Sequence, residues 1–371
     1  MLAVAALSAR TLVEAAALDG LRTLALDVFG DLDTCRAAVR WEPIGSGLRI
    51  DEAQLIGALD GLAAAGEAGP GWIAGSGFEG RLDLLERAAA RLPLIGTAAV
   101  DLRRLHDPRR FFAFLDAHAI EHPPVRFDGP GEADGWLFKG AEGFGGTQVW
   151  RSRPAAMRDG DGYWQQERAG TAMSATFVAN ADEAVVLGFN LQFAHARGAR
   201  PFLFSGLAGP VAVADKVRRG VAAALARLVP EFRLLGLGSL DFVLVDGRPE
   251  LLEVNARVPA SVALYPRVGT GGPMRAHLRA CLENELPPKP RRGVLRGFQI
   301  VHARRRLMLD TAAAARLAST PALHDIPRPG SSFDAGDPLC TLSARGSDPA
   351  ALRAGLDRRR DELLDSLETR S

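Results

Sequence analysis

The sequence contains little cysteine, and its three cysteines stand far apart. Cys35, Cys281 and Cys340 form no Cys-x-x-Cys pair, and their number is odd in a chain of 371 residues. A disulfide framework or a zinc knuckle needs closely paired cysteines, so neither is predicted. The same scarcity favours a reducing compartment, and we expect a cytoplasmic protein.

Long apolar runs and an excess of one charge are also missing. No run of 18 uncharged apolar residues occurs, so no membrane-spanning helix is predicted. The 45 basic and 44 acidic side chains leave a net charge of +1, which provides no basic field for nucleic acid. A hydrophobic fraction of 47% is typical of a folded globular protein. We therefore expect small-molecule partners rather than nucleic acid or a membrane.

Lysine is the scarcest charged residue, with three copies (Lys139, Lys216 and Lys289) against 42 arginines. Because arginine supplies nearly all of the positive charge, each lysine is informative about chemistry. No lysine lies between residues 290 and 371, so this segment cannot carry biotin or lipoate.

Apolar patterning predicts an α/β fold class with three domains. In residues 1–100, short apolar runs at 2–7, 23–28 and 72–74 alternate with helical patterns, which favours a parallel α/β sheet. Residues 101–285 contain longer strands and glycine loops. Residues 286–371 begin with a proline-rich link and continue with short strands and a charged terminal helix, which indicates a small β-rich module.

The first motif that carries chemistry is a strand that ends in a lysine and runs into a glycine loop. Lys139 is followed by Gly140, Gly143, Gly145 and Gly146. Glycines let backbone N–H groups approach phosphate oxygens, and a lysine adds a positive charge. The spacing matches neither GxGxxG nor the P-loop, and a surface hairpin with an incidental lysine is the alternative.

The second motif is an aromatic strand, residues 163–170, that ends in Gln166-Glu167-Arg168 and then Gly170. Backbone groups directly after such a strand could pair with the edge of an adenine. A strand with a solvated end is the alternative.

The third motif places acids inside an apolar hairpin. Asp241, Glu253 and Asn255 interrupt two apolar strands that an Asp246-Gly247 turn connects. Buried carboxylates are unfavourable unless they are paired or bind a metal, and carboxylate and amide oxygens suit Mg²⁺. Ion pairs with Arg257 or other arginines are the alternative.

The hairpin register tests the metal interpretation. A strict two-residue turn would place Asp241 opposite Leu252, and Glu253 would then face the other side of the sheet. Shared metal binding therefore requires an odd loop or a bulge. Pro249, which cannot donate to the strand ladder, makes such an irregularity plausible.

Taken in order, the three motifs resemble the ATP-grasp superfamily over residues 100–285. The resemblance implies an α/β domain before the grasp, two grasp subdomains and a small hybrid-sandwich-like β module after it. It also implies a ligase that joins a carboxylate to an amine, or to a thiol, through an acyl phosphate.

The resemblance implies roles for the motif residues. Lys139 would contact the α- and β-phosphates of ATP, and the glycine loop would fold over them, through Gly143, Gly145 and Gly146. Glu167, with backbone from Arg168 to Gly170, would hold adenine. The metal, Mg²⁺ or alternatively Mn²⁺, would be coordinated by Asp241, Glu253 and Asn255. Arg257 would steady phosphate or the reacting carboxylate, which makes Arg257 and Lys139 the expected catalytic residues.

Two positions depart from the family pattern. Ser174 stands where many relatives carry a carboxylate for the ribose hydroxyls. Many relatives also carry a lysine at the start of the helix before the central domain, where Arg109 or Arg110 is the expected substitute here.

The chain as a whole most resembles carboligases of tetrahydromethanopterin and methylofuran metabolism, which implies glutamate and tyramine or tyrosine as substrates. Other amino-acid or peptide acceptors, and a regulatory nucleotide-binding protein with a degenerate site, stay open. A homodimer is compatible with the resemblance. We expect the glycine loop and residues 192–198 to act as lids, and leave open whether His195 or Arg200 contacts substrate.

Overall fold

A computed structural model describes residues 1–67, 69–130, 135–140, 143, 145–157, 160–290 and 293–368. Ala141, Glu142 and Phe144 of the predicted glycine loop lie outside the described residues. Within the described part, the helices are α1 (Arg10–Leu18), α2 (Leu32–Ala37), α3 (Glu52–Ala64), α4 (Leu82–Ala89), α5 (Ala99–His106), α6 (Pro108–Ala117), α7 (Asp215–Phe232), α8 (Pro273–Glu283), α9 (Thr311–Ser319) and α10 (Pro349–Glu368), with a 3₁₀ helix over Ala260–Leu264. The strands are β1 (Leu2–Ala5), β2 (Thr23–Asp27), β3 (Arg40–Pro43), β4 (Gly45–Ser46), β5 (Arg49–Ile50), β6 (Trp72–Ala74), β7 (Val125–Arg126), β8 (Trp136–Gly140), β9 (Val149–Trp150), β10 (Gly162–Gln166), β11 (Thr171–Ala179), β12 (Ala184–Arg197), β13 (Arg200–Val211), β14 (Gly236–Val245), β15 (Arg248–Asn255), β16 (Leu295–His302), β17 (Leu307–Met308), β18 (Leu323–His324), β19 (Ser332–Phe333) and β20 (Pro338–Gly346).

The N-terminal strands form a parallel sheet in the order β3-β2-β1-β6. Strand β1 pairs with β2 and β6, and alternate residues of β1 belong to two different apolar clusters, one on each face of the sheet. Burial on both faces is the reason that these strands are continuous apolar runs. The predicted parallel α/β arrangement is confirmed. The run at residues 92–96 is not a full strand and forms a single bridge, from Leu94 to Trp72.

The central sheet has eight strands in the order β15-β14-β11-β12-β13-β16-β20-β18, all in antiparallel pairs. Helix α7 packs against it with a continuous apolar stripe, which includes Val217, Val221, Leu225 and Leu228. The strands of the tail extend this same sheet, because β16 pairs with β13. Parallel and antiparallel sheets together confirm the α/β fold class, whereas the domain limits at residues 100 and 285 stay predictions.

A separate four-stranded sheet, in the order β7-β10-β8-β9, carries the first two motifs. Strand β8 brings Lys139 opposite Tyr163 of β10 and Val149 of β9. The glycine loop connects this sheet to the central sheet, because the backbone N–H of Phe204 donates to the carbonyl of Gly145 (2.9 Å). No helix in the described part of the chain is long and apolar enough to cross a membrane.

Candidate functional site

A cavity of about 1220 Å³ lies between the central sheet, the four-stranded sheet and the N-terminal sheet. Five residues of the first and third motifs line it together: Lys139, Asp241, Glu253, Asn255 and Arg257. Pockets for one small ligand measure roughly 300–1,000 Å³. The cavity therefore has room for a nucleotide and a second substrate.

A bulge brings the two acids of the hairpin to one face. The turn is a two-residue connection, with Val245 opposite Arg248, and this register continues to Phe242 opposite Leu251. The register then shifts, so that Asp241 lies opposite Glu253 and Leu252 is the extra residue. The predicted requirement for a bulge is confirmed, and the bulge lies beyond Pro249, which keeps its pairing with Leu244.

Asp241 carries the electrostatic signature of a ligand position. Burial raises the pKa of its carboxyl group to about 7, and the negative charge of Glu253 adds to the shift. Its Oδ1 atom is buried and has no hydrogen bond within 3.5 Å among the described residues, although the side chains of Gln192 and Ser239 lie near enough to the carboxyl group to oppose the rise in its pKa. Because a buried, unpartnered carboxylate oxygen is costly, it fits a position that a cation satisfies when bound.

The amide of Asn255 bridges the two acids. Its Nδ2 donates to Glu253 Oε1 (3.2 Å) and to Asp241 Oδ2 (3.5 Å), and its Oδ1 accepts from Arg257 Nη2 (3.4 Å). The amide dipole thus directs its positive end between two carboxylates. A half-turn of the amide exchanges nitrogen and oxygen, so the same side chain can offer an oxygen to a cation.

Lys139 reaches the same part of the cavity from the opposite sheet. Burial lowers the pKa of its ammonium group, and the negative charges of Glu253 and Asp241 oppose that shift. Among the described residues, it forms no ion pair within 4.0 Å. Its positive charge is therefore available to an anionic ligand.

Arg257 is held by a residue of the N-terminal part of the chain. Its Nε donates to Glu79 Oε1 (2.6 Å), and the other oxygen of Glu79 accepts from the backbone N–H of Gly77 (2.7 Å). The Glu79 side chain is only 8% exposed. This charge-assisted contact fixes the guanidinium beside Asn255.

The glycine loop crosses β13 at close range. A Cβ atom on Gly146 would lie 1.9 Å from the carbonyl oxygen of Phe202, and Gly146 has a φ of +73°. Only glycine therefore fits there without a shift of the backbone. Gly143, Gly145 and Gly146 all line the 100 Å³ cavity that also contacts Lys139.

The segment predicted to hold adenine lines the large cavity, but its charged side chains already have partners. Glu167 pairs with Arg151 (2.7 Å), and Arg168 forms a two-pronged contact with Glu250 (2.8 and 2.8 Å). Its backbone at Arg168 and Gly170 remains the part that suits an adenine edge.

Ser174 lies next to the acids. It is opposite Asp241 in the β11–β14 register, is buried and lines the large cavity. Its Oγ accepts a hydrogen bond from Asn190 Nδ2 (3.1 Å).

A protein-family model described as "ATP-grasp domain" matches residues 106–261. This part of the chain is therefore similar to an ATP-grasp domain. The prediction of this fold from the three motifs is confirmed, and the match includes all of the predicted site residues.

Solved structures of the same fold span nearly the whole chain. An L-amino acid ligase from Bacillus licheniformis is 16% identical, with a TM-score of 0.70 over 97% of this chain and 96% of the other. An N5-carboxyaminoimidazole ribonucleotide synthetase from Thermus thermophilus is 18% identical, with a TM-score of 0.67 over 96% and 97%. A biotin carboxylase from Campylobacter jejuni is 12% identical, with a TM-score of 0.70 over 99% and 95%. No curated protein matches the sequence significantly.

The substitutes expected for the missing lysine of the ATP-grasp pattern are wrong. Arg110 pairs with Glu231 (2.9 Å), and Arg109 lies over the ring of Phe127 (4.2 Å). Neither lines either of these two cavities, and both lie on the first turn of α6. His106, at the end of α5, lines the small cavity instead, where burial lowers its pKa and the charges of Glu79 and Glu253 oppose the shift.

The predicted lid at residues 192–198 is a paired strand rather than a loop. Residues up to Arg197 belong to β12, which forms a hairpin with β13 in the ATP-grasp domain. His195 stacks on His302 (4.2 Å between ring centroids), and Arg200 lies over Trp150 (5.9 Å). Neither of them lines either of these two cavities.

A second group of acids lies around Arg10, and Glu14 and Asp325 of this group line the large cavity. Arg10 contacts Asp325 (2.8 Å), Glu14 (3.1 Å) and Asp33 (4.0 Å), and His324 contacts Glu14 (3.3 Å). The N-terminal part and the tail meet through these ion pairs, which sequence spacing did not predict.

Proposed function

We propose that this protein is an ATP-dependent ligase that forms an amide bond between a carboxylate and an amine. The observation that carries the proposal is the convergence of Lys139 with the opposed pair Asp241 and Glu253 in one cavity large enough for two substrates. The similar structures, among them an amino acid ligase and a ribonucleotide synthetase, support the same reaction class.

In the proposed reaction, a substrate carboxylate oxygen attacks the γ-phosphorus of ATP and ADP leaves. The amine then attacks the carbonyl carbon of the acyl phosphate, loses a proton, and inorganic phosphate leaves. Positioning and neutralisation of charge supply most of the rate enhancement in such phosphoryl transfer.

Each protein group has a role in this scheme. Lys139 would hold the α- and β-phosphates as a fixed positive charge, and the glycine loop would cover them and exclude water. Arg257, fixed by Glu79, would hold the reacting carboxylate against the γ-phosphate.

The acidic hairpin fits a divalent cation. The unpartnered Oδ1 of Asp241 and the facing carboxylate of Glu253 are hard oxygen donors, as Mg²⁺ requires, and Mn²⁺ can use the same donors. Asp241, Glu253 and Asn255 would hold the ion, which when bound would neutralise phosphate charge.

Adenine would lie against the backbone from Arg168 to Gly170, next to Glu167. Ser174 would lie near the ribose or phosphates, where many related proteins place a carboxylate. Its hydroxyl offers a neutral contact, because its proton is free to rotate towards an acceptor.

Glutamate as the carboxylate and tyramine or tyrosine as the amine, in methylofuran biosynthesis, are the first substrates to test. They rest on the resemblance of the sequence alone. We place the reaction in the cytoplasm, and the homodimer stays a prediction.

The test is release of ADP from ATP and Mg²⁺ in the presence of paired carboxylates and amines, with mass detection of the product. We expect ADP release only when both substrates are present. ATP binding without ADP release for any pair would instead favour a regulatory nucleotide-binding protein. Glu253→Gln serves as the inactive control.

A further inference from the structure

Two arginines face each other across neighbouring strands in the wall of the large cavity. Arg296 on β16 and Arg345 on β20 are direct partners in the antiparallel register, and both line the cavity. Arg359, on helix α10, lines it beside them and donates to the carbonyl oxygens of Ser343 (2.9 Å) and Pro321 (3.1 Å). Arg296, Arg345 and Arg359 thus all line the wall of this cavity.

Within the described part of the chain, none of these three arginines has a carboxylate partner. Other arginines of the tail do: Arg304 pairs with Asp361 (2.9 Å), and Arg353 and Arg360 both pair with Asp357 (3.2 and 2.7 Å). The acids around Arg10 in the same cavity form their ion pairs with Arg10. Among the described residues, therefore, no direct ion pair neutralises Arg296, Arg345 or Arg359.

The repulsion between Arg296 and Arg345 should lower the stability of the folded protein. Like charges placed directly opposite each other destabilise an antiparallel sheet. Burial lowers the pKa of Arg296, and the nearby charge of Arg345 lowers it further. A bound anion would relieve both effects.

The sheet register separates this group from the acidic hairpin. Asp241 on β14 is opposite Ser174 on β11, which is opposite Asn190 on β12. On the other side of a register shift between β12 and β13, Gly209 on β13 is opposite Arg296 on β16. Four strand spacings separate Asp241 from Arg296, or about 19 Å along the sheet. A triphosphate held by Lys139 and the acids does not extend that far, so the arginines must serve another group.

We propose that Arg296, Arg345 and Arg359 bind an oxyanion group, a carboxylate or a phosphate, on the second substrate of the ligase. Guanidinium groups match either oxyanion in a two-pronged geometry. The inference rests on the proposed function for the statement that the ligand is a substrate. We therefore expect the second substrate to be an amine or a carboxylate that carries an additional anionic group away from the reacting atom.

Anion binding by these arginines can be tested without catalytic turnover. Inorganic phosphate and succinate are titrated calorimetrically, at constant ionic strength, into protein saturated with Mg²⁺ and a non-hydrolysable ATP analogue. We expect saturable binding of at least one anion, and at least tenfold weaker binding by Arg296→Gln/Arg345→Gln. Preference for phosphate or for succinate tells which oxyanion the substrate carries.

Arg358→Gln is the control for the loss of an arginine charge, because Arg358 is next to Arg359 on α10 and does not line the cavity. It should bind the anions as the wild type does. The melting temperature of the double variant should be unchanged or higher, since a repulsive pair is removed, whereas a structural role would lower it.

The proposal is overturned if neither anion binds saturably, if the double variant binds as the wild type does, or if Arg358→Gln weakens binding equally. These outcomes differ from a failure of the ligase proposal. That failure would appear as absence of ADP release by a protein that still binds both the nucleotide analogue and the anion.

Discussion

Replacement of Asp241 by asparagine should make the metal-free protein more stable at pH 8 while it abolishes activity. Burial and the facing charge of Glu253 raise the pKa of Asp241 from 3.8 to about 7. A raised pKa means that the folded state favours the protonated carboxyl group. Stability is therefore highest at acid pH and falls as the pH rises from about 4 to about 7.

The size of the effect follows from the shift. Each pKa unit corresponds to about 1.4 kcal/mol, so the charged carboxylate costs up to about 4 kcal/mol at pH 8 and less than half of that at pH 5. Asparagine cannot ionise and does not carry this cost. We expect the free energy of unfolding of Asp241→Asn, relative to the wild type, to increase by up to about 3 kcal/mol between pH 5 and pH 8.

Bound Mg²⁺ should oppose the loss of stability that deprotonation of Asp241 causes at high pH. A cation binds the deprotonated carboxylate, so its affinity should fall about tenfold per pH unit below pH 7. Added Mg²⁺ should stabilise the wild type more at pH 8 than at pH 5 and should change Asp241→Asn little.

The assay is urea unfolding at pH 5, 6, 7 and 8, with and without saturating Mg²⁺. Asp246→Asn is the control, because Asp246 lies at the exposed turn of the same hairpin. Parallel pH profiles for the wild type and Asp241→Asn, or equal stabilisation of both by Mg²⁺, would refute the assignment of a buried, raised-pKa metal ligand.

Three other changes separate the roles of the site residues. Glu253→Gln should lower turnover at least tenfold with an unchanged melting temperature, and normal turnover at saturating Mg²⁺ would remove Glu253 from the metal site. Lys139→Ala should chiefly weaken ATP binding in calorimetry, and an unaltered affinity would contradict its contact with phosphate. Glu79→Gln should release Arg257 and lower kcat about tenfold at constant ATP affinity. Glu52→Gln is the control, because Glu52 forms an exposed pair with Arg87 (2.7 Å), and it should leave kcat unchanged. Equal kcat values for the two variants would argue against a positioning role for Glu79.

Patterns within one segment of the chain predicted much of the site. The alternation of side chains along a strand implied that Asp241 and Glu253 could share a ligand only if the hairpin carried an irregularity, and the structure places one at Leu252. Local spacing also located Lys139 at the end of its strand. These predictions succeeded because the strand period and turn geometry are properties of a few consecutive residues.

Local sequence patterns could not predict the contacts between distant segments of the chain. The predicted roles of Arg109 and Arg110 failed because tertiary packing gives them other partners, Phe127 and Glu231. Likewise, residues 192–198 look like a polar loop in sequence, but pairing with β13 makes most of them strand.

The amino-acid sequence by itself determined which chemical groups this protein has: a rare lysine before a glycine loop, two acids in an apolar hairpin, and an arginine two residues after an asparagine. Only the tertiary structure decided which distant groups meet them, such as Glu79 with Arg257, 178 residues apart, and Arg296 beside Arg345 in the cavity wall. The physical reason is that local geometry follows from backbone sterics and side-chain period, whereas long-range pairing depends on how complete sheets pack against one another.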